Sequence, residues 1–408
     1  MKKTLLTICL TWMCFSLSAQ KIIDLSGKWS FSIDRQDNGE KEKWFSHTLN
    51  DCINLPGSMP EKLKGDEVTA KTQWTGSLYD SSYYYNPYME KYRKEGNIKF
   101  PFFLTPDKHY VGAAWYQKEV NIPADWKGER ILLFLERPHI ETTVWVNGQK
   151  TGMQNSLCVP HQYDITRYVR PGKCTITIRV DNRIKEINVG PDSHSITDQT
   201  QGNWNGIVGR ICLQTTPKTY FDDIQIYPEP EQKLARVKVV IKGAGITKIK
   251  LSAESFNTDK KHIVPAIQQE IKLNKGVTET EMVLPMGNDM LLWDEFHPAL
   301  YKLKAEVTNG KKTEIKEIQF GMRRFEIKGK WFYVNGRKTQ LRGTVENCDF
   351  PLTGYAPMDV ESWERVFRIC RSYGLNHMRF HSFCPPEAAF IAADRVGFYL
   401  QPEGPSWR

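Results

Sequence analysis

Near the C-terminal end of this 408-residue chain stand five polar side chains that could hold a ligand rich in hydroxyls or carrying a carboxylate: Asn347, Asp349, Arg379, His381 and Glu403. An arginine offers a planar fork of donors, an imidazole can donate or accept, and an amide or a carboxylate accepts from hydroxyls. Losing such a partner from a closed site costs about 1–3 kcal/mol. Each of the five also has a plainer reading, as a salt bridge or cap at the rim of a sheet. Glu403 is not read as a general acid or base.

The order of elements would gather these residues. Strands are expected over 339–347, 375–382 and 398–401, and helices over 359–373 and 386–396. Strands alternating with helices of this length indicate βαβ units and a parallel sheet. The first strand ends near Asn347, Cys348 and Asp349, the second near Arg379, His381 and Ser382, and the third leads to Glu403 and Trp407. In a (β/α)8 barrel, ligand-contacting groups collect at such C-terminal strand ends. The helix assignments rest on Asp359 as N-cap, on Trp363, Val366, Phe367 and Cys370 at helical spacing, and on Gly374 and Gly397 as terminators. A closed barrel needs eight strands and roughly 250 residues, so three strands read as a barrel that is only begun, with its final edge open.

Two β-rich regions come before it. Alternating segments at 114–122, 130–136, 142–146 and 175–180 argue an antiparallel sandwich over 20–217, with one wet face per sheet. In 175–180, Ile176, Ile178 and Val180 take one face, and Thr175, Thr177 and Arg179 take the other. A second block over 218–323 has strands at 236–241, 248–255, 278–284 and 300–308, a size and count that suit an immunoglobulin-like sandwich. A hairpin at Asn335-Gly336 leads into the barrel segment, 324–408. Between Trp74 and Tyr110, eleven aromatic residues, Tyr79 among them, crowd a stretch without strand periodicity. It reads either as a sugar-contacting loop or as an aromatic-packed loop clamped between domains.

Composition narrows the classes. With 40% hydrophobic and 25% charged residues the chain is an ordinary globular mix. The only long apolar run, 5–17, follows Lys2 and Lys3 and ends in Ser16, Ser18 and Ala19. It has the pattern of a cleavable signal peptide over 1–19 and is too short for a membrane span, so a secreted or periplasmic product is expected. Removing it takes the formal charge from +9 to +7. The 56 basic residues are interspersed with 47 acidic ones, which excludes a nucleic-acid footprint. Seven cysteines remain after the leader, with no C-x-x-C or Cys/His metal frame, and read as free thiols.

Several strings in order resemble glycoside hydrolase family 2, which includes β-galactosidases, β-glucuronidases and β-mannosidases. Leu25-Ser26-Gly27-Lys28-Trp29-Ser30-Phe31 resembles its opening strand and Leu55-Pro56-Gly57 its early turn. Ala114-Trp115-Tyr116-Gln117-Lys118 and Val144-Trp145-Val146-Asn147-Gly148 are similar to its sugar-binding jelly roll, and Asn203-Trp204-Asn205-Gly206-Ile207 to the closing strand. Phe320-Gly321-Met322-Arg323 resembles the exit from the middle domain, and Leu341-Arg342-Gly343 the first barrel strand.

The resemblance implies a multidomain, mainly β chain: a jelly-roll sugar-binding sandwich, an immunoglobulin-like sandwich, then an incomplete (β/α)8 barrel. It also implies retaining hydrolysis of a β-linked oligosaccharide or polysaccharide by two glutamates about 5 Å apart; no cofactor is expected and no metal ligand is assigned, and whether a metal assists stays open. In the family these glutamates come from the fourth and seventh barrel strands, the first within an Asn-Glu pair. The barrel segment holds only the reverse order, Glu346-Asn347, so both are expected beyond Arg408. Asn347 and Asp349 sit where β-galactosidases carry histidines near the sugar. Arg379 matches the family's second-strand arginine, and His381 lies one place nearer to it than in Arg-x-Ser-His. Which sugar is bound, and how many chains assemble, stay open. The alternative is a non-catalytic carbohydrate-binding protein with a vestigial barrel segment; a purely structural β-sandwich protein would have no use for βαβ units.

Overall fold

The computed structural model describes residues 20–404 apart from 77–79, 186–188, 191, 201 and 351. The expected leader at 1–19, Tyr79 and Trp407 lie outside the described residues. No helix among them is long and apolar enough to cross a membrane.

Two antiparallel sheets stack over the first half of the chain. One runs Ile22–Asp24, Gly206–Thr216, Arg130–His139, His161–Asp164, with Gly57–Ser58 also pairing Gly206–Thr216. The other runs Gln149–Asn155, Glu141–Val146, Gly172–Asp181, Ala113–Ile122, Gly27–Asp34, Asp51–Leu55. Period-two alternation turns Ile176, Ile178 and Val180 inward, onto a core with Trp29, Phe31, Leu133 and Leu135. The opposite face departs from expectation, because Thr177 and Arg179 are buried rather than wet. Trp115 and Trp145 project from that outer face, and such large rings draw a cover: Leu49, Trp44 and Phe45 fold back onto them. Beside them Arg179 meets Asp37 at 2.6 Å, Asp181 at 3.0 Å and Glu141 at 3.4 Å.

The second sandwich is dominated by two 23-residue strands, Leu234–Phe256 and Ile263–Pro285. Expected strands at 236–241 and 248–255 are therefore one strand. Its register shifts between Gly243 and Gly245, where a bulge bends the chain without breaking the pairing. Phe325–Lys328, Trp331–Val334 and Arg337–Thr339 then form a small antiparallel sheet. Its turn at Asn335 and Gly336 has φ of 50° and 76°, which suits Asn-Gly. This hairpin claims residues up to Thr339, so the first parallel strand starts at Gly343 and not at 339.

Three parallel strands follow: β1 Gly343–Glu346, β2 His377–Phe380 and β3 Tyr399–Pro402, connected by helices α1 Val360–Ser372 and α2 Glu387–Val396. Asp359 caps α1 by accepting from the Ser362 N–H at 2.8 Å. Trp363 and Phe367 are the buried face of α1; Phe367 stacks on Phe398 at 4.8 Å. This unit is seated on the second sandwich. Trp293 Nε1 donates to the Asp394 carbonyl at 2.7 Å, and Arg371 Nη1 donates to the carbonyls of Glu295, Val396 and Gly397 at 2.5, 3.0 and 2.8 Å. At Gly397, φ is 76° and a Cβ would stand 2.7 Å from the Glu295 oxygen, so only glycine fits. Removing the cap in Asp359→Ala is expected to destabilise α1 by about 1 kcal/mol, read as about fivefold faster amide exchange along α1.

Candidate functional site

The C-terminal ends of β2 and β3 bring three of the five expected residues together. Register sets Arg379 opposite Gln401, and His381, two residues on, shares its face. Glu403 follows the end of β3. Its carboxylate accepts from Arg379 Nε and, at 2.8 Å, from the Ser382 hydroxyl. His381 Nδ1 lies 3.0 Å from each of Arg379 Nη2, Glu403 Oε2 and Ser382 Oγ. With its proton on Nδ1, His381 donates to Glu403; without it, Nδ1 accepts from Arg379 or Ser382.

The hydrogen bonds of this group, among the described residues, do not reach Asn347 or Asp349. Asn347 is exposed at the end of β1. Burial raises the Asp349 carboxyl above the ordinary range, while His194 pulls it down. Glu346 is turned to a local task, accepting from the Cys348 N–H at 2.7 Å; burial holds its carboxyl up.

Sequence reasoning missed a fourth contributor, a loop of the first sandwich. His194 sets its ring edge-on to His381, with centroids 4.5 Å apart and planes at 88°. Next to it the Ser195 hydroxyl donates to the Ser382 carbonyl at 2.8 Å. The loop is braced by Thr200 Oγ1 donating to the His194 carbonyl at 2.7 Å, and by Asp198 accepting from the Thr75 and Asn203 N–H groups at 2.7 and 3.0 Å. The only signal available was a long stretch rich in Ser, Thr, Asp and Gly before a strand, the kind of loop that carries function.

Electrostatics assign the roles. Hydrogen bonds, first from Arg379 and then from Ser382 and His381, hold the Glu403 carboxyl down at about 2. It is therefore ionised at neutral pH and has no proton to give a leaving group; its work is to orient Arg379 and His381. A group depressed from 4.5 to about 2 adds stability above its ordinary pKa and loses it as pH falls. The Tm gap between the protein and Glu403→Gln should thus be present at pH 6, shrink below pH ~4.5 and close near pH 2. A gap unchanged at pH 2 would contradict this. What is left facing solvent is donor-rich, with the Arg379 guanidinium and the His381 and His194 rings, while Ser382 is buried behind them, and it suits hydroxyls or a carboxylate.

The aromatic stretch is mostly self-packed. Tyr83, Phe100 and Phe103 are buried with Trp74, Tyr92 and Phe102 against them, whereas Tyr84, Tyr85 and Tyr88 are exposed.

Residues 22–217 match the model of the glycosyl hydrolases family 2 sugar binding domain, and 219–323 match the model of glycosyl hydrolases family 2. The chain belongs to glycoside hydrolase family 2. Among similar family 2 proteins, a β-galactosidase of Thermoanaerobacter pseudethanolicus is 24% identical over 331 residues, 76% of this chain and 42% of its own length. Human β-glucuronidase is 23% identical over 420 residues, covering 94% of this chain and 57% of its own. The fold is like that of Ruminococcus gnavus β-glucuronidase in complex with D-glucaro-d-lactam, with a TM-score of 0.68 and 19% identity over 95% of this chain and 60% of that one. A Bacteroides cellulosilyticus family 2 member gives a TM-score of 0.66 at 20% identity, over 94% of this chain and 47% of that one. The chain thus spans about half the length of the family 2 relatives it matches.

Proposed function

We propose that this chain forms part of a secreted, retaining β-glycosidase, in which it supplies one wall of the sugar site. The observation that carries the proposal is the meeting of Arg379, His381 and Ser382 with His194 of the first sandwich, at the C-terminal ends of parallel strands. In this reading β1 to β3 begin a (β/α)8 barrel. Arg379 and His381 bind sugar hydroxyls or a carboxylate, and Glu403 holds both in place. Asn347 and Asp349 line the same mouth beside β1. The acid/base and nucleophile glutamates belong to further strands of the kind for which the relatives' extra length leaves room. Export rests on the apolar run at 5–17 behind Lys2 and Lys3.

A second reading, carbohydrate binding without catalysis, is favoured by one feature. A cavity of about 440 Å³ opens on the first sandwich, lined by Asp34, Asp37, Asp66, His109, Tyr110 and Arg183, among others. Such a mix of charged and aromatic groups could hold a sugar away from the strands.

The test is to express the complete coding sequence and screen aryl β-glucuronides, β-galactosides and β-mannosides. Turnover of one class with retention of anomeric configuration is expected. Binding of glycans without turnover of any class would favour the second reading.

A further inference from the structure

The aromatic stretch 74–110 ends in a wall. Past its self-packed rings, residues 104–109 line a cleft of about 230 Å³ together with 198–204 of the first sandwich and 350–354 of the connection between β1 and α1. Hydrogen bonds on both sides hold the cleft in shape. The Leu104 N–H donates to the Asp198 carbonyl at 2.8 Å. Across it, the Ser58 hydroxyl donates to the Thr353 carbonyl at 2.8 Å, and the Tyr355 hydroxyl donates to Glu61 at 2.9 Å. Two of these segments also carry His194 and Asp349, so the cleft adjoins the strand-end site.

His109 is the unsettled group in this cleft. It is 8% exposed, its ring packs on Trp74 with centroids 4.7 Å apart, and its Nε2 has no hydrogen-bond partner among the described residues. The Asp198 carboxylate stands 3.6 Å from that nitrogen, too far for a hydrogen bond. Asp198 is itself buried and accepts from the Thr75 and Asn203 N–H groups, one on each oxygen, which leaves further lone pairs open. A buried nitrogen without a partner is destabilising. One ligand hydroxyl set between the two would relieve it, accepting from the ring N–H and donating to the carboxylate.

We propose that this cleft is a second sugar subsite, which takes an uncharged ring of the glycan whose neighbouring ring lies at Arg379 and His381. The subsite rests on the glycosidase reading and narrows its substrate. Trp204, Phe350 and Leu352 give apolar surface to the C–H face of a ring, and Leu352, 91% exposed, forms the lip. Asp198, Asp107 and His109 meet the hydroxyls. Charge sets the class of sugar. Among the described residues that line the cleft there are carboxylates and no Lys or Arg, and the nearby Lys62 is bound to Glu61 at 2.6 Å. A uronate would therefore be repelled here, although Arg379 would accept one at the strand ends. The substrate is thus a glycan with a neutral sugar beside the ring that is recognised, rather than a simple glycoside.

The test titrates the full chain calorimetrically with β-linked tetrasaccharides of glucose, galactose and mannose, and with the same compounds oxidised to uronates at their primary hydroxyls. At least one neutral tetrasaccharide should bind and slow amide exchange over 104–109. Leu352→Ala and His109→Phe should each weaken that binding at least fivefold. Asp107→Lys, which sets a cation in the cleft, should improve the affinity for the oxidised compound at least tenfold relative to the neutral one; any contribution from Arg379 cancels in that ratio. Leu352 and Asp107 are exposed, so these two variants decide the matter even where His109→Phe fails to fold. An unchanged ratio in Asp107→Lys, binding lost in Arg379→Ala but untouched by the cleft variants, or no binding of any tetrasaccharide would overturn the subsite. If these titrations hold while the product of the complete coding sequence turns over no glycoside, the cleft stands as a sugar site and the glycosidase reading falls.

Discussion

Replacing Arg179 with methionine is expected to destabilise the protein by about 3–5 kcal/mol, the cost of leaving buried carboxylates without their cation. The side chain is largely out of water, and Asp181, at 0% exposure, has none of its own. Burial pushes the Asp181 carboxyl up, but hydrogen bonds from Arg183 and Lys185 and the charge of Arg179 outweigh it and hold the group far below the usual range. Methionine keeps the length and packing of the arginine stem, so the loss reports the charge and its hydrogen bonds. The effect should reach the site as well. The strand ends at Asp181, and the Asn182 side chain beside it donates to the carbonyls of Tyr110 and Asn203 at 3.0 and 2.9 Å, holding both sides of the loop that carries His194. Urea titration at pH 7 measures the loss. A depressed carboxylate contributes above its ordinary pKa, so the gap to the parent should narrow as pH falls below about 4. A difference under 1 kcal/mol at pH 7 would mean that Arg183 and Lys185 suffice for Asp181.

Arg379→Ala should lower kcat/KM on the preferred aryl β-glycoside at least tenfold, in the product of the complete coding sequence. A hydrogen bond from a charged donor contributes about 1.5–3 kcal/mol, and 1.4 kcal/mol is about tenfold in rate. Stability should hardly change, because the Arg379 side chain is 41% exposed and an ion pair so open to water is worth about 0–1 kcal/mol. Arg379→Lys should recover only part of the rate, since an ammonium cannot reproduce the fork that spans Glu403 and His381. Calorimetry beside steady-state kinetics separates the cases. If the fold is lost with the activity, Arg379 is a structural residue of the β2–β3 rim.

The helices were legible because their signals are local. Asp359 and Gly374 bracket α1, and the apolar spacing of Trp363 and Phe367 falls on its buried face. The break before β1 was not legible, since Lys338 and Thr339 suit a strand in either sheet, and the Asn335-Gly336 turn decides which one they join. The covered outer face around Trp115 was missed for a related reason. Alternation tells which residues share a face, but a wet face and a face covered by a distant loop give the same pattern. For the site, spacing along β2 was enough to pair Arg379 with His381, and chain order brought in Glu403. His194 was out of reach, because its contact with His381 depends on how two separate units pack, and nothing in local sequence encodes that. Asn347 and Asp349 rested on chain position at the end of β1, and the hydrogen-bonded group forms without them.

The central claim is that a sugar ring is held where β2 and β3 end. It is tested most directly by a crystal structure of the protein soaked with the glycoside it prefers. The account predicts ring hydroxyls or a carboxylate within hydrogen-bonding distance of Arg379 and His381, with His194 against the same ring. A sugar found instead in the cavity between Asp34 and Arg183, with the Arg379–Glu403 pair untouched, would contradict it.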